Sequence, residues 1–273
     1  MGVAGWSYKD WEGVIYPEKK PKGFHPVNYL SRFLDVIEIN STYYYPGTAK
    51  NARSWADKGR AAPGFKYTVK LWSRLTHERE DFGAKETSEV RLVPEILQES
   101  GVLGSVLAQF PWSFRNTEEN RKWLFRIFDA LSGLPLAVEV RHGSWDTKSF
   151  RQTLVDREVA LVNVDQPVIG DSLGPSEHVT ASKGYVRLHG RNHENWFKEN
   201  AGRDARYDYL YTEKELEAWK EKVERMQPSC DELYVVYNNH FRGQAVANAV
   251  QMKRLLGLEL DLPTEMAWIE SGL

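Results

Sequence analysis

Asp35-Val36-Ile37-Glu38-Ile39-Asn40-Ser41-Thr42 reads as a strand buried on both faces that carries a carboxylate into the core. Its apolar residues leave no polar face, yet Glu38 and Asn40 share parity with Val36 and so point to the same side as that core residue. A buried ionised carboxylate is costly unless a partner and hydrogen bonds offset it, so partners are expected at the ends of other strands.

Working outward, short apolar runs at 3–6, 65–70, 105–110, 136–140, 160–164, 185–188 and 233–237 read as further strands. Helical stretches are expected at 26–34, 49–60, 89–99, 117–131, 150–157, 213–226 and 244–256, with Pro26 in a first turn and Thr212 with Glu215 as a capping box. Residues 166–184 hold two prolines and three glycines without helical period, so the helix after strand six is missing. Strands separated mostly by helices predict a parallel sheet, and this length suits a single α/β domain over 1–273, a closed TIM-like (β/α)8 barrel with one irregular unit. An open doubly wound sheet would carry a glycine-rich turn after its first strand, whereas Gly2-Val3-Ala4-Gly5 lies before and inside it.

In such a barrel the C-terminal strand ends share one mouth, where active sites lie. Parity delivers to it Glu38, Asn40, Lys70, Gln109, Glu139, Arg141, Asn163, Asp165, Arg187, His189, Asn238, Asn239 and His240. Buried ionic networks stabilise poorly, so this concentration points to a ligand or catalytic site ahead of a structural polar plug. Glu38 and Glu139 are candidate general acid and base, with a counter-ion role for Lys70, Arg141 or Arg187 as the equal alternative. Lys70 between carboxylates should stay protonated and bind an anion; a Schiff base is the minor reading. His189 and His240 are secondary acid–base candidates. With Glu38, Glu139 or Asp165 they could also hold a divalent metal, although no short ligand spacing supports it and no cofactor is expected. Gly190-Arg191 and Arg242-Gly243 are candidate phosphate or carboxylate turns, the second just before the last helix.

Ten tryptophans are many for 273 residues, and core and rim packing, which buries Trp in any fold, is the equal alternative to a role in a site. Trp6, Trp72, Trp112 and Trp145 each follow a strand, where the aromatic walls of a pocket for flat or ring-shaped ligands would stand.

A hydrophobic share of 41%, 27% charged residues and net charge −2 fit a globular protein and give no general affinity for nucleic acid or anionic membranes. Strand-like sequence from Val3 leaves no room for a signal peptide, and no apolar run approaches the ~18 residues of a membrane span. Cys230 is the only cysteine, so no intrachain disulfide forms and a reducing, cytoplasmic setting is expected.

Gly5-Trp6-Ser7-Tyr8 with Trp11, Gly13 and Tyr16-Pro17, then Glu38-Ile39-Asn40-Ser41-Thr42-Tyr43-Tyr44, resemble the signature of the YecE-like family, domain of unknown function 72. Lys70 with Thr76-His77, Gln109-Phe110-Pro111, Glu139 with Arg141-His142 and Trp145, Arg187-Leu188-His189-Gly190-Arg191, and Asn238-Asn239 extend the resemblance to nearly the whole chain. The resemblance implies a TIM-like barrel and brings no assigned activity.

The leading expectation is an enzyme, by preference a hydrolase or isomerase, using acid–base chemistry on a small polar, anionic, ring-bearing molecule. Glu38, Glu139, His189 and Lys70 are its catalytic candidates. Trp6, Asn40, Trp72, Gln109, Arg141, Trp145, Asp165, Arg187, Asn238, Asn239, His240, Arg242 and Gly243 are its binding candidates. The alternatives are a non-catalytic metabolite- or nucleotide-binding protein and a metal-dependent nuclease-like phosphodiesterase, the latter disfavoured by the near-neutral charge.

Overall fold

Gly2–Ala4 forms β1 and is already paired on both sides, with Val36–Ile39 (β2) and with Glu232–Tyr237 (β8). Between these run Lys66–Lys70 (β3), Leu103–Gln109 (β4), Leu136–Glu139 (β5), Val159–Asp165 (β6) and Lys183–Leu188 (β7). All are parallel and in chain order, closing into the expected barrel. The computed structural model describes residues 1–196, 198, 203–263 and 266.

The outer layer comprises α1 (Pro26–Leu30), α2 (Ala49–Arg60), α3 (Ala84–Glu99), α4 (Glu118–Ala130), α5 (Lys148–Asp156), the single turn α6 (Arg203–Arg206), α7 (Glu213–Met226) and α8 (Gln244–Leu255). Thr48, Thr117, Thr147 and Thr212 cap α2, α4, α5 and α7 by accepting from a backbone N–H three residues on. Helix α3 starts five residues before its expected start because Glu86 accepts from the Gly83 amide and completes a first turn that apolar periodicity does not mark. Among the described residues no helix is long and apolar enough to cross a membrane.

No helix joins β6 to β7, as expected. Residues 166–182 instead form an irregular strap held by Asn163, whose Oδ1 accepts from Ser176 Oγ (2.8 Å) and the His178 amide (2.7 Å). Asn163 Nδ2 donates to the His178 carbonyl at 2.8 Å, and Thr180 Oγ1 accepts from the Leu161 amide at 2.7 Å.

That strap corrects the parity assigned to strand six. Ala160, Val162 and Val164 pack inside the barrel with Ala4, Val36, Leu107, Ala137, Tyr185, Tyr234 and Val236, while Leu161 joins the core between strands and helices. Asn163 and Asp165 therefore face outward. Both faces of β6 are apolar at 160–162, so hydrophobicity alone does not choose between them.

Candidate functional site

On β2, β3, β5 and β7 the alternation places Glu38, Thr68, Lys70, Glu139 and Arg187 inside the upper barrel. Arg187, 1% exposed, is the hub: Nη2 donates to Glu38 Oε1 at 2.7 Å and Nη1 to Glu139 Oε2 at 2.5 Å. Glu38 Oε2 accepts from the Tyr185 hydroxyl at 3.0 Å, and that oxygen lies 2.8 Å from Thr68 Oγ1. Glu139 Oε1 accepts from Arg141 Nε (2.9 Å) and Nη2 (2.8 Å), and His189 Nε2 is 3.2 Å away.

Burial would raise the Glu139 carboxyl, but Arg187, Arg141 and His189 together hold it well below the usual carboxylate range. Burial drives His189 down to about 3 against the pull of Glu139, so its imidazole is neutral. Asn238 Nδ2 donates to His189 Nδ1 at 3.0 Å, which places the ring proton on Nε2, toward Glu139. Both ring nitrogens are thus engaged within the chain. Among the described residues no three His, Cys, Asp or Glu side chains converge on a metal-sized site.

Above this layer opens a cavity of about 600 Å³, within the size range of small-molecule sites. Lys70, Arg141, Arg187 and Arg206 line it, and among the described residues no Asp or Glu does. The two glutamates therefore lie beneath the arginines rather than on the cavity lining, where each is paired with Arg187. Rings of Trp6, Tyr8, Tyr43, Tyr44, Trp112, Trp196 and Tyr207 form the walls. Asn40 Oδ1, Gln166 Oε1 and Arg187 Nε, buried atoms of lining residues, have no hydrogen-bond partner among the described residues. Buried polar atoms are rarely left so, which marks these three as groups available to a ligand.

Lys70 differs from its neighbours. Its Nζ lies 4.3 Å over the Tyr43 ring and makes no ion pair among the described residues, because the arginines take both carboxylates. Burial and Arg187 bring its pKa down to about 7 despite Glu38 and Glu139, against the direction expected from the neighbouring carboxylates alone. His77 packs edge-on against the same Tyr43 ring, centroids 5.0 Å apart, from the π-helical turn Arg74–Glu78. Burial and Lys70 lower it to about 4.

Backbone and tryptophan contacts hold the walls. Gly5 ends β1 at φ +83°, where a Cβ would meet the Tyr8 hydroxyl at 2.7 Å. That hydroxyl donates to the Ala4 carbonyl at 2.6 Å, and the Tyr8 ring stacks on His240 at 4.3 Å. Trp11 Nε1 donates to the His240 carbonyl at 2.7 Å and fixes the loop after β8.

Of the expected residues, Trp6, Asn40, Lys70, Gln109, Trp112, Arg141, Arg187, Asn238 and His240 line the cavity. The others lie elsewhere. Trp145 is 1% exposed, stacks on Phe114 and donates to its carbonyl, so it is core. Trp72 packs outside the barrel against the Arg74 guanidinium. Asp165 accepts from Arg191 and from Trp219 Nε1 in the outer layer. Asn239 Nδ2 binds the Tyr209 carbonyl and Asn248 Oδ1, tying the insertion after β7 to α8.

Neither glycine–arginine turn is open to an anion. The Arg242 amide already donates to Asp10 Oδ2 at 2.6 Å, and Gly243, at φ +81°, packs against Ile15. The Gly190 amide donates to the Tyr211 hydroxyl, and Arg191 is spent on Asp165 and Glu215. Tyr8, Tyr43, Tyr44, His77, Trp196, Arg206 and Tyr207 were missing from the expected set; the family signature includes Tyr8, Tyr43, Tyr44 and His77, whereas nothing in it points to Trp196, Arg206 or Tyr207.

The family model described as protein of unknown function DUF72 matches residues 1–268. The UPF0759 protein YunF of Bacillus subtilis is 32% identical over 275 residues, 95% of each chain. The crystal structure of a DUF72 family protein from Thermotoga maritima is 33% identical with a TM-score of 0.80, covering 94% of this chain and 99% of its own. Another, from Enterococcus faecalis, is 25% identical with a TM-score of 0.82, covering 96% and 98%.

Proposed function

We propose that this chain, which belongs to the DUF72 family of proteins of unknown function, is an enzyme that takes a small, anionic, ring-bearing molecule at its barrel mouth and moves a proton on it. One observation carries the reading: the cavity has four cationic side chains and seven aromatic rings on its lining and, among the described residues, no carboxylate.

Arg141 and Arg187 would hold the anionic group. Their guanidinium groups are already oriented by Glu139 and Glu38, so little side-chain entropy is lost when a ligand arrives. Counted formally, Glu38 and Glu139 face Arg141, Arg187 and Lys70, which leaves one positive charge over when Lys70 is protonated. The aromatic walls suit a ring, and Asn40, Gln109 and Gln166 supply acceptors and donors for its substituents. Lys70, near neutrality in pKa, is the proton-transfer group, with Glu38 and Glu139 as anchors that keep the floor rigid.

A metabolite-binding protein without turnover would use the same clamp. Lys70 favours the enzyme, since an anion sensor gains from a fully charged lysine and not from one held near pKa 7. The free thiol of Cys230 fits a reducing cytoplasm.

The test is a thermal-shift screen of ring-bearing phosphates and carboxylates beside their neutral parents, followed by turnover assays on the hits. Anionic members should raise the midpoint, Arg141→Met should weaken binding about tenfold or more, and Lys70→Met should abolish turnover while binding persists. Neutral parents binding as well as the anions would defeat the proposal.

A further inference from the structure

We propose that Lys70 forms an imine with a carbonyl group on the anionic substrate, and that His77 carries the proton exchanged in that step. The inference rests on the reading of the mouth above and names the substrate's reactive group.

Lys70 ends β3 at a fixed height. The Thr42 hydroxyl, shared between the carbonyls of Ile39 (2.9 Å) and Lys70 (2.7 Å), ties the end of β2 to the end of β3. The side chain lines the cavity, and Nζ rests against an aromatic face instead of a carboxylate. An amine in such surroundings is uncharged far more often than a solvated lysine, and only the uncharged amine is a nucleophile.

His77 is placed to serve it. The two residues touch the same Tyr43 ring, and both line the cavity. Thr76 Oγ1 lies 3.4 Å from the Trp72 carbonyl, which can only accept, so the hydroxyl proton points there. With the hydroxyl proton on that carbonyl, the 3.0 Å contact of Thr76 Oγ1 with His77 Nδ1 takes the imidazole proton on Nδ1. That leaves a lone pair on Nε2, which has no hydrogen-bond partner among the described residues. A single π-helical turn, a device that recurs at functional sites, presents this ring.

The step balances without a co-reactant. The Nζ lone pair forms a C–N bond as the carbonyl π pair moves to oxygen, which takes up a proton while nitrogen releases one, by way of His77. The carbinolamine oxygen takes a second proton and leaves as water as nitrogen gives up its remaining proton and the C=N bond forms. Amine and carbonyl thus become imine and water, with no change of oxidation state. Once protonated, the imine withdraws electrons from the adjacent carbon, which makes proton removal or carbon–carbon cleavage there accessible.

Pyridoxal 5′-phosphate, an anionic ring-bearing aldehyde, serves as the probe on the full chain at pH 7, with sodium borohydride trapping and peptide mapping by mass spectrometry. Lys70 should be labelled roughly tenfold or more faster than exposed lysines, which are almost wholly protonated at that pH. Inorganic phosphate should slow the labelling. His77→Gln should slow it about tenfold or more while saturable quenching of tryptophan fluorescence by the probe is retained. Saturable quenching that depends on Arg141, with Lys70 unlabelled, would overturn the imine and leave the anion site standing. No saturable quenching and no label on Lys70 would overturn both. Labelling of His77→Gln at the parent rate would remove His77 from the step.

Discussion

Replacing Arg187 with methionine tests the site's foundation. The side chain keeps a similar length but loses the charge that bridges Glu38 and Glu139, both fully buried. Glu38 is then left with the Tyr185 hydroxyl, and Glu139 with Arg141 and His189. Removing one partner of a buried ion pair costs about 3–5 kcal/mol, because the remaining charge stays out of water. For a domain of this size that is a fall in midpoint of roughly 6–10 °C. The pH dependence carries a definite sign. Glu139's folded pKa is depressed, so its contribution to the parent's stability is complete at neutral pH and is lost as the pH falls below the usual carboxylate range. In Arg187→Met the buried Glu139, with one of its cations gone, gains by protonation as the pH falls. The deficit should therefore be largest at pH 7 and shrink toward pH 4, read from urea unfolding with linear extrapolation. Adding Glu38→Gln should recover part of it. A deficit below about 1 kcal/mol, or one independent of pH, would refute the view that Arg187 is an obligatory bridge.

Other substitutions divide site from scaffold. Loss of Arg187's charge should raise the pKa of Lys70 from about 7, since Arg187 is the largest electrostatic cause of its depression, with Arg141 adding to it and Glu38 and Glu139 opposing; the pH profile of Lys70 acetylation, followed by mass spectrometry, should move upward. Lys70→Met should stabilise the protein at pH 7 by on the order of 1–2 kcal/mol, because an unfolded lysine binds a proton that the folded one releases, and the gain should vanish toward pH 10; a destabilised variant would contradict it. Trp145→Ala should cost about 3–5 kcal/mol by cavity formation, whereas Trp6→Ala should leave the midpoint nearly unchanged and weaken ligand binding; equal losses in the two unfolding curves would undo the distinction. Asn163→Ala should release the strap at 166–182, seen as faster amide exchange at Leu161 and His178, and should weaken ligand binding at the mouth, because Gln166 and Ser172 of the strap line the cavity.

The barrel was legible because each strand is a short apolar run closed by polar residues, and because the helix-free stretch at 166–184 advertises itself through proline and glycine. Parity was also enough to bring Glu38, Lys70, Glu139, Arg141 and Arg187 to one place. It does not set height along the barrel axis, and height decides that Arg141 and Arg187 line the cavity while Glu38 and Glu139 lie beneath them. On β6, where alanine, leucine and valine occupy both faces, parity carries no polarity, and Asp165 belongs to the outer layer with Arg191 and Trp219. Trp145 follows a strand as Trp6 does, yet its indole N–H serves the Phe114 carbonyl in the core. Strand-end logic also passes over residues brought in by loops. Trp196, Arg206 and Tyr207 come from the insertion after β7, and His77 from a π-helical turn, and none bears a local signal of where it will lie.

The most direct measurement is calorimetric titration of the whole protein, at low and moderate salt, with a ring-bearing phosphate from the screen and with its dephosphorylated parent, repeated on Arg141→Met. Preferential binding of the phosphate, weakened by salt and about tenfold or more by Arg141→Met, is what a cationic, carboxylate-free mouth requires. Equal affinity for the neutral parent, or affinity indifferent to Arg141, would contradict the assignment of the barrel mouth as an anion site.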